Sequence, residues 1–87
     1  MPRLVQPVEA AYPPRAEAER IEADVVLQID IGVDGKVEGV EVITPATPAG
    51  YGFDDAAAAA ARQFVFSPAM AGEQPVPVRI TYRYRFA

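Results

Sequence analysis

The chain has 87 residues, a net charge of −4 at pH 7, and neither cysteine nor histidine. These bounds leave one small domain without disulfides, thiolate or imidazole metal ligands, or the usual nucleophile–base pairs, so no cofactor, metal site or catalytic residue is expected. Residues 1–61 carry four basic and eleven acidic side chains and residues 62–87 four basic and one acidic, which argues against a nucleic-acid partner; no apolar run approaches the ~20 residues that cross a bilayer.

Pro2, Pro7, Pro13 and Pro14 crowd the start of the chain. They predict an extended arm or linker remnant over residues 1–13, ahead of a folded domain over 14–87. Residues 1–20 lack the apolar stretch of a signal peptide. From Pro14 to Ile21 a proline suited to a first turn precedes strong helix formers, so a short helix of about two turns is expected.

Val25, Leu27, Ile29 and Ile31 alternate with Asp24, Val26, Gln28 and Asp30, the pattern of a strand. Val33-Asp34-Gly35-Lys36 then reads as a hairpin turn into a second strand, Val37 to Thr44. The apolar spacing slips around Gly39, so a β-bulge is expected at Glu38-Gly39. Pro45 to Gly52 is a loop. Asp54-Asp55, six alanines and Arg62 predict a helix of about 12 residues, with Phe53, Ala57, Ala60, Ala61 and Phe64 on one face. Ala71-Gly72-Glu73-Gln74 turns into the last strand, where Val76, Val78, Ile80, Tyr82, Tyr84 and Phe86 alternate with Arg79, Thr81, Arg83 and Arg85.

A helix of that length returns the chain to the start of the second strand, so the last strand runs antiparallel to the first and pairs with it. The expected fold is α+β. It is a three-stranded antiparallel sheet of order 2-1-3, with a short N-terminal helix and a longer helix packed on one face. The last strand is left at an edge. Pro77 has no N–H, so its parity should face away from the sheet, and the backbone groups of Arg79, Thr81, Arg83 and Arg85 would then be offered to an incoming strand. The competing reading pairs Arg79, Arg83 and Arg85 across strands with Asp24, Gln28 and Asp30.

Other polar features carry less. Asp54-Asp55 fit helix-dipole partners better than an acid–base pair. Gly50-Tyr51-Gly52 lacks the third glycine and following lysine of a phosphate loop. Ser67 has no base beside it in sequence.

The ordered set of elements resembles the C-terminal domain of TonB-type energy transducers over roughly residues 9–86. The matching pieces are Tyr12-Pro13 before a helix ending Arg20-Ile21-Glu22, and the strand leading to Val33-Asp34-Gly35-Lys36-Val37. Val40-Glu41-Val42, Gly52-Phe53-Asp54, Arg62-Gln63-Phe64-Val65-Phe66-Ser67-Pro68 and the apolar–basic last strand follow. The resemblance implies a periplasmic, non-enzymatic module that binds the TonB box of an outer-membrane receptor by strand addition. Such a module transmits force for active transport, iron uptake included. It also implies inner-membrane motor proteins reached through an N-terminal anchor and spacer outside this chain. The partner-binding residues would be Tyr12, Pro13, Arg79, Ile80, Thr81, Tyr82, Arg83, Tyr84 and Arg85; the alternative for Tyr12 is to pack the arm onto the domain. This chain departs from the family in placing Gln6-Pro7 further upstream, with Glu9-Ala10-Ala11 intervening. It also has Arg62-Gln63-Phe64-Val65-Phe66 where the family often has Arg-Arg-Trp-Arg-Tyr. The competing function is an envelope assembly or self-association module, the same domain type fused to another envelope protein and forming a homodimer through the open strand edge.

Overall fold

In chain order the elements are β1 (Leu4–Gln6), α1 (Pro14–Ala18), β2 (Ala23–Ile31), β3 (Val37–Thr44), α2 (Phe53–Ala61), β4 (Val65–Phe66), β5 (Ala69–Ala71), β6 (Gln74–Val76) and β7 (Val78–Phe86). They are taken from a computed structural model that describes residues 2–87. Met1, the first residue of the expected arm, lies outside the described residues.

The main sheet has the order β3-β2-β7, all antiparallel, as the alternation and the helix return predict. β2 is its centre: Val25, Leu27 and Ile29 are wholly buried, and the residues between them are only half-buried. One face of the sheet is therefore packed and the other wet. At the β2–β3 turn the Gly32 N–H donates to the Lys36 carbonyl and the Gly35 N–H to the Gly32 carbonyl. Gly35 sits at φ +83°, and a Cβ there would lie 1.9 Å from the Phe66 carbonyl oxygen, so only glycine fits. The β2–β3 register skips Glu38 between the pairs Asp30↔Gly39 and Ile31↔Val37, which is the expected bulge; it skips again at Ile43.

α2 is shorter than expected. It ends at Ala61, with Arg62 as its C-cap, and Phe64 follows through tight turns in which Gln63 and Phe64 donate to the carbonyls of Ala60 and Ala61. The predicted face survives this change: Phe53, Ala57, Ala60, Ala61 and Phe64 are all buried. α1 is also brief. It closes with Arg20 in the left-handed region at φ 56°, while the Arg20 and Ile21 N–H groups bond back to the Glu17 and Ala16 carbonyls.

The structure differs from or goes beyond the sequence reading in three places. β1 pairs with β4 through Leu4↔Phe66 and Gln6↔Val65, and β4 is tied to the hairpin by the Phe66 N–H donating to the Gly35 carbonyl at 2.8 Å. The expected turn at residues 71–74 is the tip of a small hairpin, β5 with β6. Pro77 joins β6 to β7 and stands outside the regular strand.

The arm runs extended over the packed face. Leu4, Val8, Ala10 and Tyr12 all join the core cluster, and the Ala10 N–H donates to the Tyr84 hydroxyl at 2.8 Å. Val8 to Ala11 lie beside Ala56, Ala59, Ala60 and Gln63 of the α2 region, while Glu9 to Tyr12 lie beside Tyr84 to Ala87. The arm thus fills the space between α2 and the end of β7.

Candidate protein-binding edge

β7 hydrogen-bonds to β2 on one side, and among the described residues no strand pairs with its other side. Which of its backbone groups face outward follows from the hairpin. Because the Gly32 N–H donates to the Lys36 carbonyl, the even residues of β2 direct N–H and C=O toward β3 and the odd ones toward β7. β2 and β7 are paired without irregularity from Ala23↔Phe86 to Ile31↔Val78. Val78, Ile80, Tyr82, Tyr84 and Phe86 therefore bond to β2, and Arg79, Thr81, Arg83 and Arg85 direct their backbone groups away from the sheet. Pro77 suggested the same parity, although its position outside the strand removes it as the reason.

The side chains of that outward set lie on the wet face and are not equivalent. Arg79 Nε is 2.7 Å from Asp30 Oδ1. That hydrogen bond first, and the charge of Asp30 second, hold the guanidinium further above its ordinary range. Arg85 approaches Asp24 at 3.4 Å and Glu22 at 3.8 Å. Arg83 stands opposite Val26 and Thr81 opposite Gln28, and among the described residues no carboxylate lies within ion-pair reach of Arg83. The cross-strand reading thus holds for Arg79 and Arg85 with the two aspartates and not for Arg83. On the packed face Ile80, Tyr82 and Tyr84 remain half-buried, because an edge strand has neighbours on one side only.

Tyr12 and Pro13 are built into the fold. The Tyr12 ring meets Phe53 and Phe86 edge-on at 5.9 Å and 5.6 Å between centroids, its hydroxyl donates to the Ile21 carbonyl, and Pro13 is buried. They sit near the C-terminal end of β7, beside a cleft of about 550 Å³ lined by Glu9, Ala10, Tyr12, Glu17, Arg85 and Phe86 among others. Sequence reasoning missed that cleft and the Glu22 contact to Arg85, since both depend on where the arm and α1 dock.

A second polar cluster fastens α1 to the loop before α2. The Tyr51 hydroxyl donates to Glu19 at 2.8 Å, Arg15 reaches the same carboxylate at 3.1 Å, and the Arg15 guanidinium lies 4.9 Å from the Tyr51 ring centroid. The Tyr51 hydrogen bond, then Arg15, hold the Glu19 carboxyl below its ordinary range, and Glu19 in turn raises the Tyr51 phenol. Among the described residues no group of His, Cys, Asp or Glu is arranged to hold a metal ion, and no helix is long and apolar enough to cross a membrane.

Residues 8–87 match the family described as Gram-negative bacterial TonB protein C-terminal. The chain is also similar to Protein TonB of Klebsiella aerogenes, 37% identical over 43 residues that make up 49% of this chain and 18% of that protein. It is 35% identical to Protein TonB of Klebsiella pneumoniae over the same shares of the two chains. The matched stretch thus spans less than a fifth of those relatives.

Proposed function

The chain belongs to the Gram-negative bacterial TonB protein C-terminal family, and from that premise we propose that it is a force-transmitting binding domain that takes up an extended segment of an outer-membrane receptor along β7. The observation that carries this reading is the open edge: a nine-residue strand with one strand neighbour among the described residues and an outward row of backbone donors and acceptors from Arg79 to Arg85. Strand addition of this kind draws its affinity from main-chain hydrogen bonds and its selectivity from alternate side chains. Ile80, Tyr82 and Tyr84 would meet the partner's apolar side chains on the packed face, and Arg83 would attract a carboxylate on the wet one. Tyr12 and Pro13 would support the end of the added strand near the cleft rather than grip it.

In this reading the domain works in the periplasm and chemistry is no part of its task. The receptor segment would be the TonB box, and chain preceding the arm would connect it to inner-membrane motor proteins. The test is a titration of the labelled domain with extended peptides from receptor N-termini, followed by backbone amide shifts. Shifts concentrated at residues 79–85, lost in a folded Thr81→Pro variant, are the expected result. A folded Thr81→Pro variant that binds as well as the parent would refute this placement.

A further inference from the structure

The edge that admits a foreign strand also faces every other copy of the same chain, and its side chains bear on that encounter. A two-fold axis normal to the sheet would pair β7 with a second β7 in antiparallel fashion, setting the outward residues Arg79, Thr81, Arg83 and Arg85 opposite their counterparts. Few registers are available. Centred on Tyr82, the pairing sets Arg79 against Arg85 twice and Thr81 against Arg83 twice. Centred on Thr81, it sets Arg79 against Arg83 twice, and centred on Arg83 it sets that residue against itself. Sliding toward the N-terminus brings Pro77, which has no N–H, into the ladder and leaves two complete outward pairs. Every register with a longer ladder thus opposes arginine to arginine on the same face, where like charges directly opposite are destabilising.

Asp30 compensates Arg79, and Asp24 with Glu22 compensate Arg85. Arg83 is the outward cation for which the described residues offer no carboxylate. We propose that the β7 edge is charge-coded against pairing with a second copy of this chain, with Arg83 as the determinant in the registers centred on Thr81 and on Arg83 and Arg79 against Arg85 in the one centred on Tyr82, so that it stays open to a hetero-partner that brings acidic or uncharged residues to that face. This inference shares with the proposed function only the openness of the edge. Its test contains no receptor peptide, so failure of peptide binding and failure of self-exclusion are read separately.

The test is sedimentation equilibrium on the full 87-residue chain and its Arg83→Glu variant, with circular dichroism to establish that both are folded. In the variant, the register centred on Thr81 turns both Arg79–Arg83 oppositions into attractions between Arg79 and the carboxylate introduced across from it. Self-association should tighten by at least about fourfold, since two oppositions each reverse a contribution of ~0.2–1 kcal/mol. Salt must act in opposite directions: raising it should promote self-pairing of the parent and weaken that of the variant. Thr81→Cys placed in each background reads the register, since oxidation should cross-link two copies in the Arg83→Glu protein and not in the parent. A parent that dimerises through a Thr81→Cys cross-link at low salt would overturn the proposal. So would a folded Arg83→Glu variant no more associated than the parent.

Discussion

β2 and β7 are both nine-residue strands with strict alternation, yet they do different work. In β2 the apolar parity is sealed, with Val25, Leu27 and Ile29 at 0% exposure. In β7 the same parity is half-buried except at Phe86. Periodicity fixes which face of a strand is apolar; the number of neighbours decides whether that face closes. β2 has a strand on each side and α2 above it. Among the described residues β7 has one strand beside it, with the arm above its end, and that incompleteness leaves its outer edge unpaired.

The largest effect should come from emptying the sealed strand. Leu27→Ala should cost about 3 kcal/mol in urea denaturation, while Ile80→Ala at the half-buried edge should cost roughly half as much. Equal losses would mean that the edge is as enclosed as the centre. Gly35→Ala should follow, at ~2 kcal/mol or more. It forces a left-handed backbone on alanine and drives a Cβ into the Phe66 carbonyl oxygen that a Gly35 Cβ would meet at 1.9 Å. Tyr84→Phe sharpens the role of the arm: it leaves the N–H of buried Ala10 without its acceptor and should cost about 1–2 kcal/mol.

The smallest effect belongs to the exposed cluster around Glu19. Its carboxyl is held below the ordinary 4.5, so its contribution is present above that pH and fades as pH falls through the lowered value. The Tyr51 phenol is raised above 10.0, so its contribution is present below that pH and is lost as pH climbs through the raised value. The difference in denaturation midpoint between parent and Glu19→Gln should therefore be widest between those limits and shrink beyond both. A difference independent of pH would assign the effect to packing.

Much of this was legible in the sequence because period and turn chemistry are local. Asp34-Gly35 announced the hairpin, the slipped parity at Gly39 announced the bulge, and strand order followed from the helical return. The arm was legible only as extended. Leu4–Gln6 is a three-residue strand between prolines, too short to show a period, and its partner Val65–Phe66 lies beyond the β2–β3 hairpin and α2 in sequence. The early end of α2 was hidden because Arg62-Gln63-Phe64 continues a helical pattern, and the buried position of Phe64 is reached just as well through two tight turns. At the edge, the outward parity could be read, but which arginines were already paired depended on register.

The Ala10–Tyr84 bond spans 74 residues, the hairpin closure between Gly32 and Lys36 only four. Closing the longer loop costs more chain entropy and becomes favourable only once β2 and β7 have joined. The expected order of assembly is therefore hairpin, then sheet, then arm, with native-state opening starting at the arm. In hydrogen exchange the Ala10 amide should open by undocking of the arm alone, at a free energy below that of the β2 amides, which exchange only when the whole domain unfolds.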